Sequence, residues 1–207
     1  MNAKIWMAAG LAAALMVSGC RKTADNTSNY KSAIDAYYAV HPSCLWPQPV
    51  KFPAQADTSD SSQTTQYDAL FDAGLLTRTT GEKKVMIIAT RQVTNYDLSD
   101  NGRGVWTSDA TEPGYGNFCY GHRAVQSIQN AAPNSGQPGA ATQVTYTYSF
   151  SGAPGWAQAA ETQNAFSQVR ADLTAQGNAT ATLVDTANGW QMQPLHKVSN
   201  PDSSIVQ

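Results

Sequence analysis

Charge is scarce in this chain. Asp, Glu, Lys and Arg make up 14% of its 207 residues, against about 25% in an ordinary globular domain. The balance is slightly acidic, with 13 Lys and Arg against 15 Asp and Glu, and no basic cluster is denser than Glu82-Lys83-Lys84. A protein that holds nucleic acid by its phosphates needs several clustered Lys and Arg, so that partner class is disfavoured. The motifs of common enzyme chemistry are missing as well. There is no G-x-S-x-G elbow, no P-loop, no G-x-G-x-x-G and no H-E-x-x-H. No ligand set suggests a metal or other cofactor: near Cys44 the only candidate partner is His41, and Asp97 to Asp100 lacks the alternating acids of a calcium loop. Internal repeats and long low-complexity tracts are absent too. Ser, Thr, Asn, Gln and Gly fill the space that charge leaves.

The first twenty residues are the most informative stretch. Lys4 supplies a positive start, Ile5 to Val17 is apolar, and Ser18, Gly19 and Cys20 follow. This is the pattern of a secretory signal peptide, with an apolar region of about 7–15 residues ahead of small residues. A bilayer span needs about 20 residues, so the run is too short for a permanent transmembrane helix. Val17-Ser18-Gly19-Cys20 resembles the lipobox of bacterial lipoproteins. That resemblance covers only the leader. It implies cleavage before Cys20 and acylation of the Cys20 sulfur, and two or more acyl chains give stable anchoring. Arg21 stands where an aspartate would signal inner-membrane retention, so the resemblance implies the outer membrane, facing the periplasm.

Residues 1–19 are then the signal peptide and 20–29 a lipidated tether, leaving a mature chain of about 190 residues, enough for one domain or two small ones. With Cys20 acylated, Cys44 and Cys119 remain. An oxidising compartment makes a disulfide between them the default; two buried thiols or two halves of a metal site are the alternatives. The bond would close a loop of about 75 residues, worth about 4 kcal/mol in the chain-entropy model.

The mature chain reads as α+β. Tyr30, Ile34, Tyr37 and Tyr38 share a helical face from about 30 to 40, which His41-Pro42 ends. Ser43 to Pro49 is an extended strap with Trp46 as its apolar plug. Residues 55–64 read as a loop, 66–76 as a helix, and 85–90 and 93–98 as strands. The sequence YDALFDAGLLTR, a β-ribbon, and then NYDLSDNGRGVW resemble the recognition helix, wing and following turn of winged-helix domains over residues 66–106. The basic residues of DNA-binding members are missing, since 67–76 carries Asp68 and Asp72 and no Lys or Arg. The resemblance therefore implies the local architecture without DNA binding.

A Gly/Pro/Asp stretch at 107–116 separates the predicted winged-helix-like subdomain, 30–106, from an antiparallel α+β subdomain, 117–196, with 197–207 as a polar tail. The second part reads β-β-α-β-β. Val144, Tyr146, Tyr148 and Phe150 alternate with polar residues, a helix spans about 161–175, and Asn188-Gly189 makes a hairpin turn. One helix is expected to pack on one face of this sheet.

Of the three histidines, His41, His122 and His196, only His122 is a catalytic candidate. It sits beside Gly121 and close to Cys119, but a general base also needs an orienting partner. Tyr115, Phe118, Tyr120, Tyr146, Tyr148, Trp156 and Trp190 form either core or the lining of a glycan or apolar site. The expected function is that of a non-catalytic envelope lipoprotein, held to the bilayer through Cys20 and binding an envelope protein or cell-wall component. An envelope hydrolase using His122 and an inhibitor of an extracellular enzyme are the alternatives.

Overall fold

Asn26 opens the first helix. Its side chain accepts the Asn29 N–H at 2.9 Å, which satisfies one of the donors that a first turn leaves orphaned. In the computed structural model, which describes residues 25–59, 61–86, 89–132 and 139–194, α1 runs Thr27–Val40, starting three residues ahead of its predicted position. The leader, Cys20, residues 133–138, His196 and the tail from Lys197 lie outside the described residues.

After α1 come β1 (Ser43–Cys44), β2 (Val50–Lys51), β3 (Ala54–Asp57) and α2 (Ser61–Asp72). The ribbon β4 (Leu76–Met86) and β5 (Ala89–Leu98) follows, then α3 (Asp100–Val105), β6 (Trp106–Ser108), β7 (Tyr115–Ala131) and β8 (Ala141–Ser151). Three short helices, α4 (Gly155–Gln158), α5 (Ala160–Ala165) and α6 (Ser167–Leu173), precede the hairpin β9 (Gln176–Thr186) and β10 (Gly189–Met192). The protein is mixed α+β, with a mostly antiparallel, curled sheet and six helices among the described residues.

The spine is β7, seventeen residues long. Its first half pairs with β1, β2 and β6, and its second half pairs with β8. The order β7-β8-β9-β10 then forms a meander, while β3-β5-β4 forms a separate three-stranded sheet. The stretch 109–114 is the connection of the β6–β7 hairpin, in which Trp106 faces Phe118 across the ladder. Asp109 holds that connection by accepting from the N–H groups of Thr111 and Glu112 and from the Thr111 hydroxyl.

Two apolar cores form, and each draws on both halves of the chain. One joins Tyr30 and Ile34 of α1 to Val125, Val144, Tyr146, Leu183 and Trp190 of the meander. The other joins Leu45, Phe52, Tyr67, Leu70 and Tyr96 to Phe118, Tyr120, Phe166 and Val169. The helix laid on the meander is therefore α1, not the 161–175 segment predicted for it. That segment is broken into α5 and α6 at Phe166, and both pack against the first half of the chain. Ile34 is fully buried under α1, and its truncation to Ala costs about 2–5 kcal/mol.

The ribbon also departs from expectation. Met86 pairs with Ala89, so the chain reverses inside the predicted 85–90 strand, and β4 begins back at Leu76. Thr77 to Thr80 and Glu82 to Lys84 are exposed, so this stretch of the strand has no buried face to impose an alternating pattern. Similarly, β3 and the start of α2 occupy the predicted 55–64 loop. Phe150 leaves the face it was expected to share with Tyr146 and packs beside Tyr120 in the other core, with ring centroids 5.7 Å apart.

Candidate functional site

The strap from Pro42 to Val50 crosses the first half of β7 and is fastened at several points. Cys44 and Cys119 are joined by a disulfide, with S–S 2.06 Å. The Leu45 N–H donates to the Phe118 carbonyl at 3.0 Å. The Asn117 carboxamide brackets Trp46, accepting its N–H at 3.2 Å and donating to its carbonyl at 2.7 Å. That pair of bonds imitates a strand partner where no strand is available. The Trp46 ring sits among Phe52, Tyr67, Phe118 and Phe166 with centroids 5.8–6.4 Å apart, and its indole N–H donates to Gln66 at 3.2 Å. Trp46 is therefore a packing residue that shows one edge to a groove of about 450 Å³, lined by the disulfide, Pro47, Pro49 and Asp109.

His122 lies on β7 opposite Ser151 of β8, half-buried. Its ring packs near Gly152, and the imidazole has no hydrogen-bond or ion-pair partner among the described residues. No described residue supplies the orienting carboxylate or carbonyl that a general base requires. His41 stacks on Tyr37 at 4.1 Å and bonds the Tyr37 carbonyl at the end of α1. Among the described residues no group of three or more His, Cys, Asp or Glu is placed to hold a metal ion, and no helix is long and apolar enough to cross a membrane.

The aromatic residues do not converge on one pocket. Phe118, Tyr120 and Trp156 belong to one core and Tyr146, Tyr148 and Trp190 to the other. Burial raises the Tyr120 and Tyr146 phenols above the usual tyrosine range, with Asp172 and Tyr38 as their hydrogen-bond partners. Tyr96 is pushed up to about 12 by burial and by its hydrogen bond to Asp68.

No motif in the sequence marks the outer face of the meander. Ser127, Thr147 and Asn178 form one cross-strand row and Asn130, Thr145 and Thr180 the next; none is charged. A depression of about 510 Å³ opens there, lined by Gln126, Thr147, Tyr148, Ser149, Gln176 and Asn178 among others. The sequence signal was the Thr/Ser alternation itself, which marks a solvated face without saying what it meets. No family model matches the chain, and no curated protein and no solved structure is significantly similar to it.

Proposed function

We propose that this chain is a bacterial envelope lipoprotein, cut before Cys20, acylated on that sulfur and held at the outer membrane, where its folded body binds a protein or cell-wall component without catalysing a reaction. The observation that carries the reading is the sequence Val17-Ser18-Gly19-Cys20 at the end of a short apolar leader. The described body agrees with it in one respect. Its first helix is already capped at Asn26, six residues beyond Cys20. At no more than about 3.6 Å per residue, an acylated Cys20 would keep the body within roughly 20 Å of the bilayer surface. The His122 hydrolase reading is not favoured, because no described residue orients the imidazole.

The unit α2–β4–β5, with β3 added beside β5, is on this reading a pared-down winged-helix-like element turned to protein contact. Asp68 on α2 is engaged by Arg78 at 2.6 Å and by Tyr96 at 2.9 Å, which suits a packed helix better than one facing phosphates.

Fractionation tests the anchor. Wild-type protein is expected in the membrane fraction, cut before Cys20 and with acyl mass on that sulfur, and Cys20→Ser is expected to keep its apolar leader uncut and to carry no acyl mass. A variant processed at the same place as wild type, or a wild type without acyl mass, would refute the anchor. Photo-crosslinking in intact envelopes tests the binding half of the reading.

A further inference from the structure

The meander has two lateral edges, and they are treated differently. On β7 the ladder slips register twice, between Val125 and Ser127 and between Ile128 and Asn130, and α1 bonds both the N–H and the C=O of Val125 through Asp35 and Lys31. Bulges and covering side chains are standard ways of blunting an edge. On the other side β10 covers only Leu183–Thr186 of β9, and one more bond runs from the Gln193 N–H to the Thr182 carbonyl at 2.9 Å. Beyond it no described residue pairs with β9 on that side.

Strand alternation says which groups are left. The Asp185 N–H and C=O bond toward the β8 side, at Ala140 and Gly139, whereas the Thr182 carbonyl bonds toward the β10 side. The N–H and C=O of Gln176, Asn178 and Thr180 therefore face the bare side, and all three residues are exposed. The β8–β9 register runs without a bulge from Ala141 to Ser149, and Gln176-Gly177-Asn178-Ala179-Thr180-Ala181-Thr182 contains neither a charge nor a proline. Among the described residues this edge has no charge, proline, bulge or covering strand.

We propose that β9 between Gln176 and Thr182 is a docking edge for an extended, uncharged segment of a partner protein, added collinear with β10. Only an extended backbone presents donors and acceptors at the two-residue spacing of such an edge, and this mode of recognition draws affinity from main-chain bonds and selectivity from nearby pockets. The depression lined by Gln126, Thr147, Ser149, Gln176 and Asn178 adjoins the edge and is the place for a side chain of the incoming strand. Its lining carries no charge, so a charged side chain would lose hydration there with no counter-ion in return. The proposal rests on the binding reading above and names the class of partner.

Thr180→Pro tests it. The Thr180 N–H faces the bare side, so its loss removes no bond to β8, and proline is tolerated at such edge positions. The probe is an acetylated, amidated peptide alternating Thr and Val. Added to the full chain, it should slow hydrogen exchange at Asn178 and Thr180 and leave the far edge of β7 unchanged. Thr180→Pro should weaken its binding at least about tenfold with an unchanged melting temperature. Thr180→Lys, which keeps the backbone N–H, serves if the proline variant unfolds. Failure of the peptide to bind, or protection elsewhere, overturns the proposal. So does protection present before peptide is added, whether abolished by deleting residues 195–207 (the chain's own end) or by dilution (a second copy). In envelopes, crosslinking that captures one specific partner equally with wild type and Thr180→Pro sinks the edge and keeps the binding reading. No capture by wild type sinks the binding reading itself.

Discussion

The carboxylate of Asp35 accepts the backbone N–H of Val125 at 2.8 Å, at the point where the ladder between β7 and β8 slips its register. Lys31, one turn earlier on α1, donates to the Val125 carbonyl and pairs with Asp35 at 2.9 Å. Two helix side chains thus do what a neighbouring strand would do, and they fix α1 along the meander as well as on top of it. Asp35→Ala should leave the Val125 N–H without a partner and cost about 1–3 kcal/mol. Urea denaturation would register this as a lower midpoint with an unchanged slope. A change within a few tenths would mean that water replaces the carboxylate.

Gly102 makes a sharper prediction. A Cβ there would stand 1.9 Å from the Leu75 carbonyl oxygen, the same oxygen that accepts the Ser99 N–H at 3.0 Å. Ser99 also caps α3, its hydroxyl accepting the Gly102 N–H at 2.9 Å. Gly102→Ala must push α3 off the Leu75 backbone between α2 and β4 and disturb both bonds, so a loss of about 1–3 kcal/mol or more is expected. Gly104 has nothing within 4 Å of its missing Cβ, and Gly104→Ala serves as the neutral control.

What the sequence disclosed follows from what is local. Tyr30, Ile34 and Tyr38 announce α1 because a helix repeats every few residues, and Asn188-Gly189 announces the β9–β10 turn one residue off its place, since Ala187 and Asn188 link the strands and Gly189, at φ 112°, already pairs with Thr186. The surface on which α1 rests is nonlocal, chosen by shape among two apolar cores, and no periodicity encodes it. The stretch 77–84 of β4 was unreadable for the opposite reason: a strand with exposed residues on both faces has no pattern to show. The strap was legible in part. Counting cysteines pointed to Cys44 and Cys119, but the Asn117 carboxamide around Trp46 is a contact across 71 residues. The bare edge of β9 depends on β10 being the shorter strand, and residue types do not state that.

The strap predicts a coupling. Closing a separation of 75 residues, the disulfide is worth about 4 kcal/mol by the loop-entropy argument, so reduction should lower the urea midpoint substantially. The reduced strap still has the Asn117 bracket, the bond from Leu45 to Phe118, and the Gln168 amide on the Leu45 carbonyl at 2.6 Å. It should therefore stay docked. Asn117→Ala should cost about 1–2 kcal/mol when oxidised and more when reduced, because the bracket is then one of the few remaining fasteners. Strict additivity in this two-by-two cycle would show that the two act independently.

Acid and alkali should end the stability plateau for separate reasons. Asp57 is held down to about 2 by the Ser59 N–H and hydroxyl, with Arg91 adding to the effect. A carboxyl whose folded value lies below its unfolded value of 3.8 stabilises fully above that value, and its contribution disappears as pH falls through about 2. Asp109, lowered by Thr111 and Glu112, acts in the same direction. At the other end Tyr96 is raised to about 12, and Tyr30, Tyr120 and Tyr146 are raised by burial. In the unfolded chain these phenols ionise near about 10, so the folded state retains protons that the unfolded state loses, and stability falls as pH climbs from there through the folded values. Urea midpoints should be nearly flat between about pH 4 and pH 10. Tyr96→Phe should make the alkaline decline shallower without moving the acid limb. A decline already under way near neutrality would point to a group outside this set.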